Sequence, residues 1–199
     1  MTKREAAEHA LTWAFPRGVA AAGLAGTMFG ARRFLQVSLK MFEELGDKRG
    51  MGQSLHVLGM QELQFEVGTA RSLIERSAAL YREAGEKWWL ALADFGLGNA
   101  ANLQGNHEQA DRFFSESLAI FQQFGDRWGL ARPLRGLGWV ASQKGDYDHA
   151  RTLLEQSLGI RREMRDKVGI ALVLADLAEV MREQARARGS VGRLGRTRS

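Results

Sequence analysis

The chain of 199 residues is 45% hydrophobic and 26% charged, with two prolines and no cysteine. That is the composition of a foldable protein in which neither a disulfide framework nor a thiolate zinc site is possible; cysteine pairing does not give the compartment, a reducing cytoplasm is allowed, and a cytoplasmic location is the expectation. The net charge of +5 is carried by residues 182–199, which hold six arginines against one glutamate, so a neutral body counts against a broad basic face for nucleic acid and leaves a basic tail.

Residues 1–30 read as a degenerate repeat. Pro16 and Gly18 fall where a helix should run, which predicts a short helix before Pro16 and another from about Arg17 to Ala25. Glu5, Glu8 and His9 weigh against a signal peptide with Val19 to Ala31 as its apolar core.

From Ala31 onward the chain repeats itself. Ala70, Ala110 and Ala150 are 40 residues apart, as are Ser77, Ser117 and Ser157, Leu97, Leu137 and Leu177, and Ala91, Ala131 and Ala171. The copy beginning at Ala31 aligns on the one beginning at Ala70 with a spacing of 39. Within a copy the apolar residues keep three-and-four spacing: Phe113, Phe114, Leu118, Phe121 and Phe124 on one stripe, then Leu130, Leu134, Leu137, Val140 and Ala141 on a second. Each unit is therefore two amphipathic helices, neither of which can bury its stripe alone.

The punctuation between the stripes agrees. Gly105 and Gly145 close one helix while Asn106 and Asp146 cap the next, and Gly46-Asp47, Gly85-Glu86 and Gly125-Asp126 repeat the device. Phe65 stands where a turn glycine is expected, which predicts a reshaped turn. Pro133 inside the first helix of its unit predicts either a late start near Leu130 or a kink. Ser77, Ser117 and Ser157 read as small packing residues. Trp88 and Trp128 read as core filling, whereas Trp89 has no aromatic counterpart and is expected to be exposed.

Leu134, Leu137, Gly138 and Ala141, followed by Gly145-Asp146-Tyr147 and then Ala150, Leu154 and Ser157, resemble the two helices of a tetratricopeptide repeat. Leu97, Gly98, Ala101, Gly105, Asn106 and Ala110 give a second match. The period is longer than the usual ~34 residues, and Ala178 stands in place of the packing glycine. Arrays of this long form resemble those of kinesin light chains and of large bacterial ATP-binding transcriptional regulators. The resemblance implies an all-α solenoid, a right-handed superhelix of antiparallel helix pairs. It would comprise a degenerate segment over 1–30 and the repeats over 31–185, while residues 186–199, with glycine, serine and arginine and no apolar stripe, are by composition expected to be a disordered basic tail.

Chemistry-bearing residues do not assemble into a catalytic pattern. His9, His56, His107 and His149 are far apart in sequence and none has an i, i+4 partner for a metal. The serines lack a strand-to-helix nucleophile turn, and Glu43, Glu44, Glu155 and Glu163 fall at surface phases. No enzyme, cofactor or metal site is expected, and no phosphate-cradling loop is present. In tetratricopeptide arrays the first helix of each pair lines a concave groove. Carried over residue by residue, this implies a peptide-binding surface at His56, Met60, Phe95, Asn99, Asn102, Arg132, Arg135, Trp139, Ser142 and Glu179. Arginine would receive an acidic segment and tryptophan would anchor it. The expected function is a non-catalytic scaffold for a protein or peptide, with nucleic acid confined to the tail and no membrane span. The alternative is a sensing or regulatory module of a larger assembly, acting by docking or self-association through the ends of the array.

Overall fold

The cap signals become helix ends in the computed structural model, which describes residues 2–14 and 25–196, with side chains for 2–9, 11 and 32–188. Among the described residues all regular structure is α-helical. Contacts divide the chain into two units, Met1–Gln104 and Gly105–Ser199.

In the first unit α1 (Lys3–Ala14), α2 (Ala25–Leu45), α3 (Lys48–Glu62), α4 (Val67–Ala84) and α5 (Lys87–Leu103) each pack on the next. The first helices of successive pairs, α1 with α3 and α3 with α5, also touch. In the second unit α6 (His107–Phe124), α7 (Arg127–Gln143), α8 (Tyr147–Glu163) and α9 (Lys167–Arg196) follow the same order, and α7 also touches α9. The architecture is thus an α-solenoid of antiparallel helix pairs. The expected helix before Pro16 is α1, whereas the one expected from Arg17 falls almost wholly outside the described residues.

Helix ends follow from the turn chemistry. Asp126 accepts from Gly129 N–H at 3.0 Å, Asp47 from Gly50 N–H at 3.0 Å, and Asp146 from His149 N–H at 3.2 Å, each satisfying a donor that the first helical turn leaves unpaired. The chain reverses into these caps through left-handed glycines such as Gly125, φ +63°. The reshaped turn at Phe65 uses no left-handed residue: Phe65 N–H donates to Glu62 carbonyl, and Glu66 caps α4 by accepting from Gly68 and Thr69 N–H. One joint departs from the rule, because Arg165, between α8 and α9, takes φ +54° at the position Gly125 holds a repeat earlier, a conformation in which an L side chain is strained.

Two contacts recur along the chain, one inside the pairs and one between them. A buried serine on the second helix donates to a carbonyl on the first: Ser38 to Ala7 at 3.0 Å, Ser77 to Gly52 at 2.8 Å and Ser157 to Ala131 at 2.6 Å. These serines are therefore latches between helices as well as small residues. A buried bond of this kind typically contributes about 1 kcal/mol, and an orphaned hydroxyl in its place would cost more. At the joints between pairs, the Phe42 and Phe121 rings press on Gly50 and Gly129, where a Cβ could not fit. Arg161 takes the ring's place in the last joint and pairs with Asp166 at 2.6 Å. Trp89 is half-buried rather than exposed, stacked on Tyr81 at 6.0 Å and edge-on to Trp88 at 4.9 Å. Its lack of an aromatic counterpart reflects a joint filled by tryptophan where other joints use glycine.

Pro133 does not delay its helix: α7 starts at Arg127 and carries the buried proline in its interior. At the other end α9 does not stop at residue 185, and its backbone stays helical to Arg196 across most of the segment whose composition predicted no structure. Alanine and arginine are strong helix formers, and Arg186 pairs with Glu183 one turn back at 2.6 Å. Among the described residues no helix is long and apolar enough to cross a membrane.

Candidate interaction surface

In the second unit the implied site lies on α7 and α9. Arg132, Arg135, Trp139 and Ser142 are spaced by three and four residues, which places them on one side of α7. Trp139 is 40% exposed. Such a ring, partly held and partly open, can bury further apolar surface at low entropic cost.

The two arginines are already engaged. Arg135 is held in a two-pronged contact by Asp176, its Nη2 lying 3.2 Å from Oδ1 and its Nε on Oδ2. Asp176 is one residue past the 40-residue period from Arg135, and the pair ties α7 to α9. Arg132 lays its guanidinium over the Trp128 ring at 3.8 Å, a cation–π stack. Burial, and then the charge of Arg161, pull its pKa down to about 10, which leaves it charged at neutral pH. At the adjoining turn Gly169 N–H donates to Asp166, and that bond with the Arg161 contact holds the carboxyl below its usual range. Glu179 pairs with Arg182 three residues on, and Ser142 is half-buried.

In the first unit the implied residues fall on α3 and α5. His56 and Asn102 are buried, so neither offers an open side chain. Met60, Phe95 and Asn99 are half-buried. The Met60 sulfur reaches toward α5, 3.2 Å from where a Cβ on Gly96 would stand; it fills the space that glycine leaves. Of these residues Asn99, one turn from Phe95 on α5, is the polar one that keeps access to solvent.

What sequence reasoning missed was Asp176, although a carboxylate one residue past the repeat spacing from an arginine on the same helix phase is a readable signal. Among the described residues no cluster of histidine and acidic side chains could hold a metal ion.

No curated protein matches the sequence. Residues 89–163 match the family model of the tetratricopeptide repeat. Among solved structures, the apo form of RapI superposes with a TM-score of 0.70 at 14% identity, covering 96% of this chain and 71% of that one. The nearly identical TPR-like repeats of a Podosopora anserina putative kinesin light chain give 0.67 at 15% identity, covering 100% and 95%. A Rap protein complexed with competence and sporulation factor gives 0.57 at 12% identity, covering 80% and 60%. At these identities the likeness is one of fold.

Proposed function

We propose that the protein, whose residues 89–163 match the tetratricopeptide repeat model, is a non-catalytic, cytoplasmic scaffold that binds a peptide or protein segment on the first-helix faces of its units. The observation that carries this reading is Trp139. It is a large ring, 40% exposed, on the α7 face beside Arg135, which Asp176 holds, and Ser142. A rigid aromatic anchor within a polar rim is what a segment-binding face needs. One protein of this fold, at 12% identity, is seen holding a factor.

The bound segment carries an apolar anchor for Trp139. Its acidic groups, where present, are read by the exposed rim of the Arg135–Asp176 pair rather than by a free arginine. Asn99 serves the first unit as the backbone-reading group. His56 and Asn102 act from beneath the surface by holding its shape.

The test is a selection of displayed peptides on the full chain, followed by affinity measurements of the selected peptides on Trp139→Ala and Asn99→Ala variants shown by circular dichroism to be folded. A loss of about tenfold or more on Trp139→Ala supports the reading. Equal affinity for the variants and the parent contradicts it.

A further inference from the structure

The joints of the second unit carry free charge and open apolar surface that the matching joints of the first do not. Along 43–49 and 82–88, where α2 turns into α3 and α4 into α5, five carboxylates stand against four cations, with Lys48 paired to Glu83 at 3.0 Å and Arg49 to Glu86 at 3.7 Å. Leu45 is the one large apolar residue exposed there. Along 122–128 and 162–168, where α6 turns into α7 and α8 into α9, four cations stand against three carboxylates. Asp126 and Asp166 accept from the Gly129 and Gly169 N–H groups. Glu163 is taken by Arg127 at 2.7 Å, a contact that also sets the two turns side by side. Arg162, Arg165 and Lys167 are left exposed, and their side chains have no partner among the described residues. On the same two turns Phe124, Trp128, Met164 and Val168 are exposed to 54%, 39%, 43% and 68%.

The backbone at Arg165 adds an independent observation. This residue takes φ +54° at the position that Gly46, Gly85 and Gly125 hold in the other joints, where glycine is free of strain. Its side chain is exposed and unpaired, so nothing in the described chain offsets that strain, which points to a role outside the fold.

We propose that this edge of the second unit binds the surface of an anionic lipid bilayer. Phe124, Met164 and Val168 enter the boundary between headgroups and acyl chains, Trp128 lies at headgroup level, and Arg162, Arg165 and Lys167 meet the lipid phosphates and carboxylates. A bilayer takes apolar and cationic side chains interleaved around two turns, because it accepts both at slightly different depths. Nucleic acid fits the edge less well. Single strands bind on open aromatic faces, whereas one face of Trp128 is covered by Arg132 at 3.8 Å and the Met164 and Val168 side chains offer none.

The experiment is co-sedimentation of the full chain with vesicles of phosphatidylcholine alone or with about 30% phosphatidylserine. Because the basic end of α9 also attracts anions, every variant is compared in a background carrying Arg186→Gln, Arg188→Gln, Arg193→Gln and Arg196→Gln. In that background the chain is expected to bind the phosphatidylserine vesicles, to bind phosphatidylcholine far less, and to be released as salt rises from about 0.1 to 0.5 M. Arg162→Gln, Arg165→Gly and Lys167→Gln are each expected to lower the partition about fivefold, and together roughly a hundredfold. Phe124→Ser is expected to lower it about fivefold as well. Arg165→Gly is the discriminating change, since it relieves strain and raises the unfolding midpoint, so its loss of binding is not a loss of fold. Trp139→Ala should leave vesicle binding unchanged, which separates this surface from the segment-binding face. No binding to phosphatidylserine vesicles in the tail-neutralised background, equal binding to phosphatidylcholine, or binding unmoved by the edge variants would overturn the inference. So would a single-stranded oligonucleotide that binds the same edge and that the vesicles do not displace.

Discussion

Replacing Gly138 by alanine sets two effects of opposite sign against each other. In an exposed helix interior the change is worth about 1 kcal/mol in favour of the folded state, because glycine loses more backbone freedom than alanine. Here the new methyl would stand 2.8 Å from Leu154 Cγ, 3.1 Å from its Cδ2 and 3.2 Å from the Ala150 carbonyl. Leu154 is fully buried, so the side chain has nowhere to swing and the helices must part. Overpacking of this kind costs about 1–3 kcal/mol, and with a collision that includes backbone the upper half of that range applies. The net expectation is a loss of about 1–2 kcal/mol, which lowers the urea midpoint by roughly 0.5–1 M at a typical slope. The assay is urea unfolding followed by circular dichroism, with Gly138→Ala, Leu154→Ala and the double variant compared. Leu154→Ala alone opens a cavity worth about 2–5 kcal/mol, and the methyl introduced by Gly138→Ala partly fills it. The double variant should therefore be more stable than the sum of the singles by about 1 kcal/mol. Gly138→Ala more stable than the parent, or strict additivity, would refute the close packing of α7 on α8.

Arg165→Gly should stabilise by about 1 kcal/mol in the same assay, because it removes the strain of a left-handed side chain at the turn where Arg165 has φ +54°; an unchanged or lower midpoint would contradict this. Arg135→Glu would place a carboxylate against Asp176 and should destabilise by about 2 kcal/mol, between the values for exposed and buried pairs. The swap Arg135→Asp with Asp176→Arg should recover most of that loss, so equal midpoints for the single change and the swap would argue against the pair. Asp166 has its folded pKa depressed by the Gly169 N–H and by Arg161. Its contribution is thus complete above the ordinary carboxylate pKa and is lost as pH falls through the lower folded value. Thermal midpoints measured from pH 6 to pH 2 should fall more steeply for the parent than for Asp166→Asn, and parallel curves would exclude the effect.

Most of the fold was legible because a solenoid writes its periodicity into the sequence. The 40-residue spacing, the paired stripes and the glycine-aspartate turns each reflect a local requirement, and local requirements survive reading one residue at a time. The site was less legible because it depends on which groups already hold one another. Arg135 looks free in sequence, and only the approach of α9 to α7 gives it Asp176. His56 and Asn102 lie at groove phases but sink as the first helices close on one another, with Gly52 and Gly59 letting α4 come near. The serines illustrate a signal read at half its content. Their recurrence marked them as small, yet a hydroxyl kept in an apolar stripe also needs an acceptor, and Ala7, Gly52 and Ala131 supply it.

The most direct test of segment binding on the first-helix faces is photo-crosslinking. A photoreactive side chain is placed at Ser142, three residues past the Trp139 anchor on the same side of α7, and, in a second variant, at Glu116 on the exposed side of α6, and each is irradiated with a peptide selected on the full chain. A covalent adduct from position 142 and none from 116 is the expected result. An adduct from 116 alone would place the ligand on the outer helices and contradict the central claim.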